Sequence, residues 1–207
     1  IPVVFCGINN SAEPYGYPYK NATGMVEITP VQPLLKAIKE TLPAVKQGIF
    51  LSADVLSQRR MFERLRKSFA IENIQLDGYF VTTQNEWESV WKAANDSDFI
   101  FIGNPAGIAA WDMQRMHRFI VEQHGVFTVT VWDWLSPLAM LTVTKVPQEQ
   151  GEWAAKVALE ILNGIAPDKI PIVVNRRWKM YRNTRLLNYS GIKLPIGLIH
   201  NAQEVTP

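Results

Sequence analysis

Three short stretches of this chain put polar side chains at the ends of apolar runs, where they could hold a small molecule. FCGINN closes a β-branched run that begins at Ile1 and sets Asn9 beside Asn10. GNPAG follows the apolar run FIFI and presents Asn104 together with a series of backbone N–H groups. VTVWDWLSPLA places Asp133 at a strand end between Trp132 and Trp134. Open α/β sheets bind ligands beyond the carboxyl ends of their parallel strands, and each of these stretches has that form. Each also has a purely structural explanation. Adjacent amides satisfy turns, Gly and Pro mark a strand-to-helix turn, and an aspartate can cap the next turn while its tryptophans fill core or interface. For Asp133 the balance tips toward a site, because a carboxylate between two large aromatics is costly unless it serves a partner.

Catalytic signatures are missing from the sequence. His117, His124 and His200 share no metal-ligand spacing, and no G-x-S-x-G elbow, phosphate-cradling loop or G-x-G-x-x-G occurs. Glu86 and Glu88 fall on an expected exposed helix. The reading is therefore of a binding protein with no cofactor, not an enzyme. Tyr15, Tyr17 and Tyr19 alternate around Gly16 and Pro18, which suits a packed loop better than a lid. The basic run of Arg176, Arg177, Lys179, Arg182 and Arg185 alternates with Trp178 and Tyr181, as a half-buried strand with solvated charges would.

The remainder of the chain must position these groups. Its 207 residues are 47% hydrophobic and 19% charged, enough for a substantial core in one large or two small domains. Twenty-one basic and 19 acidic residues nearly balance, so charge selects neither nucleic acid nor an anionic membrane as partner. Cys6 is the only cysteine, which excludes an internal disulfide. No apolar run approaches the ~20 residues that span a bilayer. No signal peptide precedes Ile1, and a start inside a strand suggests a mature product or an excised piece.

Strand and helix patterns alternate, as in a parallel sheet with crossover helices. Strands are expected at Ile1–Cys6, Gly48–Leu51, Ile74–Val81, Phe99–Ile102 and Phe127–Val131, with shorter extended pieces at Thr23–Ile28 and Ile172–Asn175. Helices are expected at Val31–Leu42, Val55–Phe69, Glu86–Ala94, Ala106–Gln123, Gln148–Leu162 and, after an Asn183 cap, Thr184–Tyr189. In Gln148–Leu162 the stripe of Trp153, Val157 and Ile161, widened by Ala154, Ala158 and Leu162, should pack on a sheet.

IPVVFCGINN, KNATGM, LPAVKQGIFLSAD, WAAKVALEILNGIAPDKIPI and NTRLLNYSGIKLPIGLIHNAQEV, in this order, resemble the substrate-binding proteins of ABC transporters whose characterised members bind aromatic amino acids. Related ectodomains of sensor kinases are similar too, and the GINN form is closer to theirs. The resemblance implies a type I periplasmic-binding-protein fold, with two α/β lobes on hinge strands closing over a small molecule. It also implies that three βα units of the first lobe would precede Ile1. Residues 1–45 would then form a partial first lobe, 46–172 a complete second lobe, and 173–207 a hinge strand and a segment returning to the first lobe. Asn9, Asn10 and Asn104 would line the cleft, and Asp133 would pair with a ligand ammonium beside Trp132 or Trp134.

The implied role is extracytoplasmic capture of a small organic ligand, an amino acid among the candidates, for an ABC permease. The alternative is a ligand-sensing module of a receptor kinase. A transcription-regulator core of the same fold is disfavoured by the lack of a helix-turn-helix. An incomplete first lobe would leave strand edges and apolar surface that favour pairing with another chain.

Overall fold

The computed structural model describes residues 1–123 and 125–205, for residue 95 the backbone only. His124 therefore lies outside the described residues. The elements are β1 (Val3–Asn9), β2 (Ala22–Glu27), α1 (Val31–Thr41), β3 (Gln47–Ala53), α2 (Leu56–Ile71), β4 (Gln75–Val81), α3 (Gln84–Ala93), β5 (Phe99–Ile102) and α4 (Met113–Glu122). They continue with β6 (Phe127–Thr130), β7 (Leu141–Lys145), α5 (Pro147–Leu162), β8 (Val173–Val174), β9 (Trp178–Arg182), α6 (Thr184–Ser190), α7 (Ile196–Asn201) and β10 (Gln203–Glu204).

Contacts divide the chain into two compact units. The larger holds Val31–Thr144 and Met180–Pro207, the smaller Ile1–Pro30 and Lys145–Lys179. This departs from the boundaries expected at 45/46 and 172/173. Helix α1 belongs to the larger unit, where Leu34, Leu35, Ala37 and Ile38 are buried in its core. Helix α5 belongs to the smaller unit, lying along β1 and β2. The C-terminal segment joins the larger unit, because β9 and β10 extend that unit's sheet.

The larger unit is built on a seven-stranded sheet in the order β10-β9-β7-β6-β5-β3-β4. The registered pairs from β4 through β3, β5 and β6 to β7 are all parallel. Its central strands are buried along their whole length. FIFI of β5 and FTVT of β6 have helices to either side, so every residue is apolar or threonine rather than alternating with charges. Gly48 of β3 is required by packing: a Cβ there would come within 2.3 Å of the Phe99 ring, which itself stacks on Phe69 at 5.6 Å. Thr83 opens α3 with a reciprocal capping box to Glu86, and Asp112 caps α4 by accepting from the Arg115 N–H.

The smaller unit has a three-stranded parallel sheet, β1-β2-β8. Its buried apolar side chains are few among the described residues: Ala12, Ala22, Met25, Val26, Val157 and Pro167. On α5 the predicted stripe is only partly buried. Val157 is covered, Trp153, Ala154, Ala158 and Ile161 are half-buried, and Leu162 is exposed.

Several boundaries differ from the sequence expectation for identifiable reasons. Strand β1 runs on to Asn9 instead of ending at Cys6. Gly7 takes a left-handed backbone (φ 78°), the register slips between Phe5 and Ile8, and pairing with β2 then resumes at Ile8 and Asn9. Helix α4 starts at Met113, not Ala106, because Gly107 (φ 120°) and Ala110 (φ 54°) have non-helical backbone. Strands β7 and β10 and helix α7 were not anticipated. In β9 the buried residue is Met180, while Trp178 is exposed.

Candidate functional site

In the larger unit the chain lays down β3, steps outward to β4, then reverses across β3 to β5, β6 and β7. The reversal makes a topological switch point between β3 and β5, and the loops after those two strands meet there. The Ala53 N–H donates to the Asn104 carbonyl at 3.1 Å. The Ser52 hydroxyl lies 3.0 Å from both that carbonyl and Gln58 Oε1. The Asn104 N–H in turn donates to Gln58 Oε1 at 3.2 Å. Gln58 is buried, so a glutamine on α2 acts as the anchor of the Gly103–Gly107 loop. Gly103 allows this approach, since a Cβ there would meet Ser52 at 2.5 Å. A second buried glutamine, Gln84, does the same for the end of that loop, accepting from the Asp112 N–H at 2.9 Å and donating to its carbonyl at 3.1 Å.

Asn104 itself forms an Asx turn, its Oδ1 accepting from the Ala106 N–H at 2.7 Å. The turn explanation accounts for that oxygen and leaves the Nδ2 donor without a partner among the described residues. Asp133 begins the 3-10 turn Asp133–Leu138 that follows β6, the strand beside β5, so it shares the carboxyl-end rim with Asn104. Its side chain is exposed, and Oδ1 accepts from the Trp134 N–H at 2.8 Å. The desolvation argument made from the sequence therefore fails: the carboxylate is not wedged between its aromatic neighbours. Trp132 packs inward, edge-to-face on Phe101 at 6.5 Å, whereas Trp134 is 45% exposed. No cationic side chain among the described residues pairs with Asp133. On the same rim, Asp54 is held below the usual carboxylate range, first by its hydrogen bonds from Arg59 (2.6 and 2.8 Å).

In the smaller unit Asn9 ends β1 opposite Glu27, and Asn10 follows in the left-handed region (φ 69°), its N–H donating to the Glu27 carbonyl at 2.8 Å. Both residues are exposed, and neither side-chain amide has a protein partner among the described residues. Behind them lies a polar network that sequence reasoning did not find. Gln150, buried on α5, accepts from the Gly7 N–H at 2.7 Å and donates to Glu27 at 2.6 Å. Lys145 closes the network by an ion pair with Glu27, and burial pushes its ammonium below the ordinary lysine range. Asn175, also buried, accepts from the Ile28 N–H at 2.6 Å and donates to the Ile28 carbonyl at 3.2 Å, continuing the β2 edge with a side chain. Glu149 accepts from the N–H groups of Arg176 and Arg177 at 2.8–3.1 Å. Only the step from an apolar strand to an acid or amide, as in MVE and VVN, hinted at these residues.

Asn104 and Asp133 thus share one rim, and Asn9 and Asn10 sit together at the end of another sheet. No cluster of three metal-ligating side chains occurs among the described residues. Carboxyl-end rims on parallel α/β sheets, bearing amides and a carboxylate, are the edges at which open α/β proteins bind ligands. The family model described as ABC transporter substrate binding protein matches residues 1–206, and the chain belongs to that family.

Three solved structures share the fold. A substrate-binding protein with adhesive properties from Clostridium difficile, in its ligand-free open structure, has 16% identity and a TM-score of 0.79, over 99% of this chain and 71% of that one. The ABC domain in complex with L-Trp from Streptococcus pneumonia has 17% identity and a TM-score of 0.68, over 99% and 73%. A conserved domain protein from Vibrio cholerae has 22% identity and a TM-score of 0.66, over 89% and 62%. The chain thus spans 62–73% of the length of these proteins. No curated protein matches it.

Proposed function

We propose that this protein captures a small organic solute, an amino acid by preference, outside the cytoplasm and delivers it to an ABC permease. The observation that carries the reading is Asp133, an exposed carboxylate on the carboxyl-end rim with no cation of its own among the described residues, next to the 45% exposed indole of Trp134. An ammonium on the carboxylate and an apolar side chain on the indole are what an amino acid supplies. The Asn104 Nδ2 donor on the same rim is suited to a ligand carboxylate. Family membership supports the pairing with a permease. Ligand binding then works by shifting the protein toward the conformation that the ligand prefers and the permease reads.

The test is thermal unfolding of the protein with each of the twenty L-amino acids, alongside mass spectrometry of any molecule released on denaturation. One or more amino acids should raise Tm, and Asp133→Ala should abolish the rise. A ligand whose stabilisation survives Asp133→Ala would remove the aspartate from the site, and a released solute without an ammonium would overturn the amino-acid assignment.

A further inference from the structure

Helix α2 carries Arg59, Arg60, Arg64, Arg66 and Lys67 against a single acid, Glu63. Two of these cations are neutralised, Arg59 by Asp54 at 2.6 Å and Arg66 by Glu63 at 3.0 Å. Arg60, Arg64 and Lys67 have no carboxylate partner among the described residues. Their i, i+4, i+7 spacing puts them on one face of the helix. Leu56, 64% exposed, and Ile71, 80% exposed, lie on the same stripe at its two ends. Arg64 is partly desolvated and has Arg60 as a neighbour, and both effects lower its proton affinity. Like charges one turn apart destabilise a helix, so this stripe is costly to the isolated protein.

The strand beside it is equally unmatched. β4 is the last strand of its sheet, paired with β3 without a bulge from Gln75 to Val81, and its other edge has no strand among the described residues. A long regular edge is a template for another strand. Gln75, Asp77 and Tyr79 point to one face, where the Gln75 amide bonds the Asp77 carboxylate, while Gly78 and Phe80 face α2. The Phe62 ring sits over Gly78, where a Cβ would meet it at 2.8 Å, and packs edge-to-face on Phe80 at 5.6 Å. A groove of about 590 Å³ results, lined by Phe62, Gly78 and Phe80 and by Arg59, Arg60 and Arg64, with the Arg59 guanidinium 4.5 Å over the Phe80 ring. Glu63 also borders the groove, but is already engaged by Arg66.

We infer that the α2/β4 edge docks an extended acidic segment of a partner polypeptide. The segment adds as a strand to β4, sets carboxylates on Arg60 and Arg64, and lays an apolar side chain into the Phe62–Phe80 groove. Free strand edges supply affinity through main-chain hydrogen bonds, and flanking side chains supply specificity. Bidentate guanidinium–carboxylate pairing accounts for two arginines at the groove wall. A lipid surface would use the cations but not the strand edge, which is why a polypeptide is the better fit.

The experiment is fluorescence anisotropy on the intact protein with a labelled peptide Thr-Glu-Thr-Val-Thr-Glu-Thr, whose two carboxylates and valine share one face of an added strand. Its Lys-for-Glu twin and a backbone N-methylated copy are run beside it, with phosphatidylglycerol vesicles as a separate arm. The acidic peptide should bind and weaken with rising salt. About tenfold or more should be lost in the twin, in the N-methylated copy and in the Arg60→Glu/Arg64→Glu variant, the loss expected when a charge-assisted or main-chain pairing is removed. The peptide arms use unaltered protein, so misfolding of the variant cannot mask the result. Failure of the acidic peptide to bind, equal binding of the Lys twin, or equal binding of the N-methylated copy would each overturn the inference. Vesicle binding that is lost in the double variant, without peptide binding, would assign the stripe to lipid and overturn it as well.

Discussion

Replacing Gln58 by Leu should loosen the loop that presents Asn104 more than it harms the rest of the protein. Leucine keeps most of the buried volume, so the change removes the acceptor with little cavity. The Ser52 hydroxyl retains a partner, because the Asn104 carbonyl also lies 3.0 Å away. The Asn104 N–H, 3.2 Å from Gln58 Oε1, loses its acceptor. Stranding a buried donor costs about 1–3 kcal/mol. Asn104 is only half-buried, so water can reach it and the lower part of that range applies, about 1–2 kcal/mol. For a chain of this size each kcal/mol moves Tm by ~2–4 °C, giving a drop of roughly 2–8 °C. Hydrogen exchange followed by NMR locates the effect: the Asn104 amide should lose protection by about tenfold, the factor that corresponds to 1.4 kcal/mol. Amides of β5 should change only by the global amount. If Asn104 exchanges as slowly as before and Tm is unchanged, Gln58 is not the anchor and the loop is held by its remaining backbone bonds alone.

Two further outcomes follow from the packing and the charges. Gly48→Ala should destabilise by about 1–3 kcal/mol in urea unfolding, because the new methyl meets the Phe99 ring at 2.3 Å while Phe69 blocks its retreat. Adding Phe99→Leu should recover part of that loss, and strict additivity of the two changes would refute the clash. His117 has its proton affinity lowered, first by burial and then by Arg185. Its folded-state pKa thus lies below the ordinary value of 6.5, so the unfolded chain binds more protons as pH falls past that value. Stability from the neutral imidazole is complete above pH 6.5 and declines below it; urea midpoints measured downward from there should fall less steeply in His117→Gln, and parallel curves would contradict the assignment.

The sequence made some elements plain and concealed others for physical reasons. FIFI was legible as β5 because four consecutive apolar residues between polar loops have few other uses. The start of α4 was not, since Ala106–Ala110 looks largely helix-forming and the positive-φ backbone at Gly107 and Ala110 is what stops it. The strand β7, LTVTK, hid behind the apolar run before it, with no turn residue between Pro137 and Leu141. The division of the chain was least legible. It depends on partners such as Gly7 and Gln150, 143 positions apart, and a glutamine on a helix reads as a solvent-facing residue until its partner is known. Asn9, Asn10, Asn104 and Asp133 stood out as candidates by position alone, at strand ends. Gln58 at the Asn104 loop and Gln150 at Gly7 did not, because being buried is a property of the folded chain and not of the residue type.

Asn175 narrows the chemical alphabet at its position almost to one letter. Aspartate would turn a lone pair toward the Ile28 carbonyl where a hydrogen now points, leucine would leave both main-chain groups of Ile28 unanswered, and glutamine would overshoot by a methylene. A codon change of one base there would exchange a self-complementary hook for a mismatch, at a place where the strand itself has already run out.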